Sequence, residues 1–280
     1  MDLFTFAKPV QLAPGLWVLE EMGSNVYVIK GTERALVLDT AYGLTDFYAA
    51  ARHLCGDLPL VLVNSHAHPD HNVGNHRFAE AYVGRFDEPN SHKAYDEPDK
   101  QHLIDFMGAR LSGYPFDRER WHPGPAKTVH PLKNGDRIDL GGVCFTVLET
   151  PGHTLGSIAL FEPQKRWLFT GDTLLTWEVW GQLANSAALC VYAESLEALA
   201  AIESQVDWVL PAHSSAEDTL GTGRFTLPAR ILSVYAEGTR AIVNGTLEGR
   251  PYEEKNPRFA GCRYALFEIG GMAYDPKRIR

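Results

Sequence analysis

A cluster of metal-ligand residues at the end of a predicted strand is the feature that most constrains this 280-residue chain. Residues 64–75 read NSHAHPDHNVGN and follow the apolar run LVLV, which is typical of a buried strand. In extended backbone, residues two apart point to the same side, so His66 and His68 can face one point. Asp70 and His71 come after a proline turn and would face a neighbouring point. A histidine-rich surface loop is the alternative interpretation, but four ligand-type side chains in six positions favour two adjacent metal ions.

Three later strand ends supply further candidate ligands. Each is an apolar run that stops at a turn residue followed closely by one ligand-type side chain: His153 in ETPGHTLGS, Asp172 in TGDTLL and His213 in PAHSS. A catalytic metal site takes about three protein ligands and a water, so the first cluster needs such additions. Any one of the three would be a weak signal, but together with the first cluster they predict a site assembled at strand ends.

The order of strand and helix patterns predicts an α/β (α+β) fold with two mixed sheets packed face to face and helices outside. In the first half, a helix capped by Thr45 runs from Phe47 to a stop at Gly56. The predicted strands of this half cover 16–19, 25–29, 35–38, 60–64 and 82–83. In the second half, strands are predicted over 137–140, 143–148, 157–161, 167–170 and 207–210, and a helix over 195–204.

Two segments stand outside this plan. Residues 85–125 are polar and punctuated by proline and glycine around a helical pattern from Leu103 to Leu111, which favours an insertion acting as a lid, or alternatively a dimer contact. The C-terminal segment, about 225–280, predicts a helix over 228–243 and a strand pair over 263–269 and 272–274. No linker or change in composition separates this tail, so a single domain over 1–280 is expected.

The ligand order resembles the metallo-β-lactamase fold superfamily, whose pattern H-x-H-x-D-H, Gly-His, Asp and a final His is matched at every metal position. The resemblance covers roughly residues 17–213 and implies a four-layered αββα sandwich with the metal site along one edge between the sheets. It implies two divalent metal ions, zinc above all, with manganese or iron as the other choices. The ligands that it implies are His66, His68 and His153 for one ion, Asp70, His71 and His213 for the other, and Asp172 as the bridge.

The resemblance extends to Asp39 in LVLDT, which would hydrogen-bond a ligand imidazole and fix its tautomer. A turn former at a strand end is an equally good interpretation of that aspartate. A bridging Asp172 resembles the glyoxalase II and lactonase branches. The text that follows it, TLLTWEVWGQLANS, lacks both the Gly-Cys-Gly-Arg segment of glyoxalase II and the tyrosine of the lactonases, so the subfamily is unassigned.

The charge balance of such a site predicts a metal-dependent hydrolase. Two divalent ions lower the pKa of a shared water, and the resulting hydroxide would attack the carbonyl of a small ester, thioester or lactone while the ions take up charge on the oxyanion. Asp70 would be the catalytic residue that orients this hydroxide and carries its proton to the leaving group. Trp177 and Trp180 are candidates for an apolar wall of the substrate pocket, with core packing as the alternative.

Two other activities stay open on the same residues. A phosphodiesterase or nuclease would need a local basic cluster, and Arg110, Arg118 and Arg120 are the only hint of one. The net charge of −9 and pI near 5.6 make nucleic acid an unexpected partner. A persulfide dioxygenase would use a single iron with fewer ligands.

The remaining composition concerns compartment and partners. Four cysteines lie far apart without a C-x-x-C pair, which favours buried residues in a reducing environment. The N-terminal residues do not resemble a signal peptide, and no apolar run approaches the length of a membrane span. We therefore expect a cytoplasmic protein that acts on a small molecule without binding membranes, with a homodimer left open.

Overall fold

The computed structural model describes residues 3–213, 223–253 and 255–280. The chain divides into two compact units, one of Met1–Leu132 with Ile138–Cys144 and one of Lys133–Arg137 with Phe145–Arg280. Within the described residues the two units carry three sheets together with α-helices, so the predicted mixed α/β class is confirmed. The single domain over residues 1–280 stays a prediction.

One seven-stranded sheet forms the centre of the first unit. Its strands follow the sheet in chain order and are β1 (Pro9–Ala13), β2 (Leu16–Glu21), β3 (Ser24–Lys30), β4 (Ala35–Leu38), β5 (Leu60–Asn64), β6 (Glu80–Gly84) and β7 (Thr128–Leu132). Strands β1 to β4 are antiparallel, whereas β4 to β7 are parallel. The carboxyl ends of β4 and β5 therefore lie side by side, with Leu38 opposite Val63. Each of these strands leads directly into candidate site residues.

The two edge strands of this sheet were not predicted. Strand β1 begins at Pro9 and β7 contains Pro131, and proline disfavours a strand in sequence patterns because it cannot donate to a ladder. At a sheet edge this missing donor faces away from any partner strand. The edge position thus explains why these two strands form although their sequences have a weak strand pattern.

Helix α1 (Phe47–Cys55) packs its buried residues onto the strands β4 and β5. The expected cap at Thr45 is wrong, because the Asp46 carboxylate accepts the Ala49 amide at 2.9 Å. Thr45 is engaged elsewhere, since its amide donates to the buried Glu21 carboxylate at 2.6 Å. Gly56 ends the helix as predicted, with a positive φ of 73°.

The predicted insertion contains helix α3 (Glu97–Met107), which ends four residues before its pattern does because Gly108 takes a φ of 51°. Its apolar side chains Leu103 and Met107 join Trp121 in a buried cluster with residues from the rest of the first unit. The short α2 (Pro69–Asn72) and four 3-10 helices complete this unit: Val73–Arg77, Glu88–His92, Gly108–Gly113 and Arg118–Arg120. The lid role of residues 85–125 stays a prediction.

The remaining strands form two sheets, and most of their residues belong to the second unit. The five-stranded sheet has the order β13-β11-β10-β9-β8, formed by β8 (Arg137–Asp139), β9 (Cys144–Glu149), β10 (Ile158–Glu162), β11 (Trp167–Gly171) and β13 (Trp208–Pro211). The four-stranded sheet has the order β12-β16-β15-β14, formed by β12 (Glu178–Trp180), β14 (Arg250–Pro251), β15 (Arg263–Leu266) and β16 (Gly271–Tyr274). The predicted C-terminal strand pair is confirmed as β15 and β16, turning at Gly270 with a φ of 73°. The parallel addition of β12 to this pair was not predicted.

Two helices of the second unit pack against each other in its main apolar cluster, α4 (Leu189–Ala200) and α5 (Ile231–Val243). The predicted start of the former at Ser195 is wrong by six residues. Its real N-cap, Ala188, has no capping side chain, whereas the Ser195 hydroxyl donates to the Pro151 carbonyl at 2.8 Å. Short 3-10 helices occupy Glu203–Gln205, Pro257–Phe259 and Pro276–Arg278. Among the described residues, no helix is long and apolar enough to cross a membrane.

Candidate metal centre

The histidine-rich loop follows β5 and brings its four ligand-type side chains together in two pairs. His68 is the N-cap of α2 and has extended backbone, with φ −76° and ψ 153°, as the following proline favours. His66 Nε2 lies 3.0 Å from His68 Nδ1. His71 Nε2 lies 3.5 Å from Asp70 Oδ2, and the rings of His66 and His71 are 4.0 Å apart at their centroids. The loop thus presents neighbouring nitrogen and oxygen donors.

Asp39 holds this loop from beneath, at the end of the adjacent strand β4. Its Oδ1 accepts the Ser65 amide at 2.7 Å and its Oδ2 accepts the Ser65 hydroxyl at 2.8 Å. The same Oδ2 lies 3.0 Å from His71 Nδ1. A carboxylate oxygen in this position can accept a hydrogen bond from a His71 ring that is protonated at Nδ1, and Nε2 would then be the nitrogen that binds a metal ion. Asp39 also turns the chain, with a φ of 68°, so it makes the contact with His71 and the strand-end turn together. Its role behind a metal ligand stays a prediction.

The carbonyl of His71 is fixed by polar residues that sequence reasoning missed. It accepts the Thr40 amide at 2.8 Å and the Asn64 side-chain amide at 2.9 Å. Asn75 joins them, since it donates to Asn64 at 2.7 Å and accepts the Thr40 hydroxyl at 2.7 Å. All three side chains are buried. A polar residue at the last position of an apolar strand, as at Asn64, is the signal that could have indicated them.

A second carboxylate reaches the loop from the predicted insertion. Asp87 is buried, and its Oδ2 accepts the Ala67 amide at 2.9 Å. Ala67 stands between His66 and His68, so this bond holds the short extended segment that carries both rings. The sequence contains no signal for this contact, because twenty residues separate the partners.

Asp172 is the central one of the three candidate ligands in the second unit, with His153 and His213 beside it. Asp172 Oδ2 lies 3.5 Å from His153 Nε2 and 3.3 Å from His213 Nε2. Asp172 and His213 follow the parallel neighbours β11 and β13, whose carboxyl ends share one edge of the sheet. His153 follows β9 and is fixed by two contacts: its Nδ1 lies 2.8 Å from the Trp180 carbonyl, and its own carbonyl accepts the Ser186 hydroxyl at 2.8 Å.

The two candidate pocket tryptophans differ in their surroundings. Trp177 is 39% exposed, and its ring centroid lies 6.2 Å from that of His213. Trp180 instead donates its indole N–H to Glu178 at 3.1 Å and packs edge-on against Phe259. Trp177 therefore offers an apolar surface beside a candidate ligand, whereas the indole of Trp180 is committed to packing.

Pairs of donor atoms within each unit have the spacing that a divalent metal ion requires of its ligands. Zinc bonds of about 2.0–2.2 Å in a tetrahedron place neighbouring ligand atoms about 3.4 Å apart. Four pairs of donor atoms lie 3.0 to 3.5 Å apart, close to that spacing: His66–His68, Asp70–His71, His153–Asp172 and His213–Asp172. Imidazole and carboxylate are also the ligands that zinc, manganese and iron take at neutral pH.

The three arginines considered for phosphate binding are engaged within the first unit. Arg118 donates to Gln101 at 2.6 Å and pairs with Glu97 at 3.0 Å. Arg120 lies 3.4 Å from Asp117, and Arg110 donates to main-chain carbonyls, including that of Met22 at 3.3 Å. These contacts favour a structural role for the arginines of the insertion over a phosphate site.

Comparison with known proteins places this chain in a family. The model of the Metallo-beta-lactamase superfamily matches residues 19–213. The chain therefore belongs to the metallo-beta-lactamase superfamily, as its ligand order predicts. The match ends at His213 and leaves the C-terminal residues outside it.

Two similar proteins are a thioesterase and a hydroxyacylglutathione hydrolase by name. The chain is 28% identical over 220 residues to the acyl-coenzyme A thioesterase MBLAC2 of Gallus gallus, covering 70% of this chain and 76% of that protein. It is 49% identical over 48 residues to a hydroxyacylglutathione hydrolase of Legionella pneumophila (strain Corby), covering 17% and 19%. The chain is thus a superfamily hydrolase with thioesterase and glyoxalase II relatives.

Solved structures show the same fold. A metallo-beta-lactamase family protein of Thermus thermophilus, TTHA1429, has a TM-score of 0.59 and 23% identity, covering 85% of this chain and 83% of that one. TTHA1623, solved in a di-iron-bound form, has a TM-score of 0.54 and 23% identity, covering 81% and 96%. The expected metallo-β-lactamase fold is confirmed, and this fold implies divalent metal binding.

Proposed function

We propose that this protein is a dinuclear metal-dependent hydrolase of thioesters. The ligand assignment follows the superfamily pattern: His66, His68 and His153 for one ion, Asp70, His71 and His213 for the other, with Asp172 as the bridge. The observation that carries the proposal is that every metal position of this pattern holds a ligand-type residue, and that each compact unit brings its own donors to ligand spacing. Zinc is the favoured metal, with manganese and iron as alternatives.

Two divalent ions, when bound, supply Lewis acidity and make a water nucleophilic near neutral pH. The residues of this chain do the rest. Asp39 and the Trp180 carbonyl hold the N–H of His71 and His153 at Nδ1, so that Nε2 of each ring is the nitrogen that would bind a metal ion. Asp70, which is 24% exposed, can accept a proton and pass it to the leaving group. No serine or cysteine nucleophile is required.

A thioester is favoured over an ester or lactone for two reasons. One relative, matched over 70% of this chain, is named an acyl-coenzyme A thioesterase. Another relative is named a hydroxyacylglutathione hydrolase. Trp177 provides the apolar surface that an acyl chain would contact, beside His213. The phosphodiesterase alternative loses support because the arginines of the insertion are paired.

The test combines metal analysis with a substrate panel. We expect the protein, purified without added metal, to hold two zinc-like ions per chain and to cleave acyl-coenzyme A thioesters faster than esters, lactones, β-lactams or phosphodiesters. One iron per chain would contradict the dinuclear assignment, and faster phosphodiester cleavage would contradict the substrate class.

A ligand substitution isolates the site from the rest of the fold. His68→Ala should lose metal and should lower kcat/KM. The decrease should exceed the about 10–100-fold loss of activity that is typical when a hydrogen-bond partner of a metal ligand is substituted. His92→Ala is the matched control, because His92 is half-exposed and pairs with Glu88 in the insertion. Full metal content and full activity in His68→Ala would show that the assignment is wrong.

A further inference from the structure

His153 is tied to a part of the chain that the superfamily model does not match. That model ends at residue 213, and the sheet that contains β12 is completed by β14, β15 and β16 from residues 250–274. Trp180, whose carbonyl lies 2.8 Å from His153 Nδ1, pairs with Ala273 of β16 in parallel register. The next amide, Gly181, donates to the Ala273 carbonyl at 2.8 Å. The acceptor for this imidazole therefore has its position set by a C-terminal strand.

Glu178 anchors the same strand from its side-chain face. Its carboxylate accepts the Trp180 indole N–H at 3.1 Å, the Lys255 ammonium at 2.8 Å and the hydroxyl of Tyr252. Partial burial acts to raise the pKa of Glu178, but the hydrogen bonds from Lys255, Tyr252 and Trp180 outweigh it and lower the pKa overall. Two of the three donors belong to the C-terminal segment.

Arg278 fixes the second contact of His153. Its guanidinium donates to the Leu183 carbonyl at 2.6 Å and to the Ser186 carbonyl, so it closes the turn between them. The Ser186 hydroxyl donates to the His153 carbonyl at 2.8 Å. A planar guanidinium can reach two carbonyls at once, which a lysine ammonium cannot do with the same geometry.

We propose that residues 250–280 act as a brace for the metal ligand His153, with Glu178 and Arg278 as positioning residues that act through the Trp180 carbonyl and the Ser186 hydroxyl. The physical reason is that a ligand imidazole needs a fixed tautomer and a fixed ring plane. The Trp180 carbonyl sets the tautomer, because it can only accept a hydrogen bond, and the Ser186 contact sets the backbone from which the ring projects. This proposal rests on the proposed metal site.

The experiment compares Arg278→Gln and Glu178→Gln with Lys277→Gln in the full-length chain. Lys277 is an exposed cation of the same 3-10 turn as Arg278, so its substitution makes the same change in charge. Zinc affinity is measured by competition with a chromophoric chelator. We expect one of two zinc ions to bind about tenfold more weakly in the first two variants and both to bind normally in the control.

Absorption of the cobalt-loaded protein separates positioning from simple stabilisation. At saturating cobalt the d–d bands of Arg278→Gln and Glu178→Gln should differ from those of the wild type, because the ring of one ligand has moved. A role in stability alone would lower the melting temperature of the metal-free protein and leave both the cobalt spectrum and the zinc affinities unchanged; that result would overturn the proposal.

Arg278→Lys guards against a variant that fails to fold. A lysine keeps the positive charge but has one donor nitrogen in place of two. We expect its zinc affinity to lie between that of the wild type and that of Arg278→Gln. Wild-type affinity in this variant would argue against the brace. A wild-type protein that binds two zinc ions but cleaves no thioester would contradict the proposed substrate, while the zinc and cobalt measurements still decide the brace.

Discussion

The two compact units hold their candidate ligands in different ways. In the first unit four candidate ligands occupy six consecutive positions of one loop, and side-chain carboxylates hold that loop, Asp39 at the Ser65 amide and Asp87 at the Ala67 amide. In the second unit three candidate ligands come from three strand ends. There a main-chain carbonyl and a serine hydroxyl hold His153.

This difference has a consequence for mutation. A carboxylate that holds a ligand can be removed by one substitution at its own position. A main-chain carbonyl can be displaced only by moving the strand that carries it. We therefore expect substitution of a residue that hydrogen-bonds the first cluster to lower stability and metal affinity strongly and locally. Substitution of a residue that positions His153 should lower them more weakly and from a distance.

The largest effect is expected from Asp39→Ala. Its carboxylate serves Ser65 at two atoms and His71 at one, and all three residues are buried. Each buried donor without an acceptor costs about 1–3 kcal/mol, so the free energy of unfolding should fall by at least about 3 kcal/mol. Metal affinity should fall about 10–100-fold as His71 loses its fixed tautomer. Urea unfolding and zinc competition measure the two effects.

Asp57→Ala is the control for this change, because Asp57 is fully exposed and pairs with Arg52. It should alter neither quantity by more than the about 0.5 kcal/mol usual for surface substitutions. An Asp39→Ala variant that kept wild-type zinc affinity would show that the first cluster does not depend on this carboxylate.

A pH-dependent effect of intermediate size is expected from Glu21, a fully buried acid of the first unit. Burial raises the pKa of Glu21 from 4.5 to about 7, against hydrogen bonds from Thr45 and Leu44 that lower it. The folded protein therefore holds this proton more tightly than the unfolded chain. The contribution to stability is complete below pH 4.5 and is lost as the pH rises through about 7. The loss between these values is up to about 3 kcal/mol.

The measurement is the unfolding free energy of the metal-free protein between pH 5 and 8, for the wild type and for Glu21→Gln. The wild type should lose stability across this range relative to the variant, which has no carboxyl to ionise. Glu33→Gln, at an exposed position, should follow the wild type. Parallel curves for wild type and Glu21→Gln would contradict the raised pKa.

The smallest effect is expected from Ser186→Ala in the second unit. It removes one hydrogen bond to the His153 carbonyl and leaves the Trp180 contact in place. Such a bond contributes about 1 kcal/mol, so stability should fall by about that amount and zinc affinity by less than tenfold. An effect as large as that of Asp39→Ala would remove the contrast between the two units.

Sequence patterns predicted the elements that carry their own signal. The buried strands β3, β4 and β5 and the stop of α1 at Gly56 follow from apolar runs and a glycine. The misses have a common cause. Strand β12 has three residues and exists because β16 pairs with it, and α4 begins at Leu189, after an N-cap, Ala188, that has no capping side chain. Neither start is encoded by its own neighbouring residues.

The same division applies to the site. The candidate ligand residues, and with them the membership of the superfamily, could be predicted from the sequence alone, because ligand chemistry resides in side chains and His66 to His71 lie within six positions. What holds those ligands was decided only by the tertiary structure. Asp87 reaches Ala67 across twenty residues, and the Trp180 carbonyl reaches His153 across twenty-seven. Every residue has a carbonyl, so no sequence pattern can single out the one that fixes an imidazole; only the pairing of strands does so.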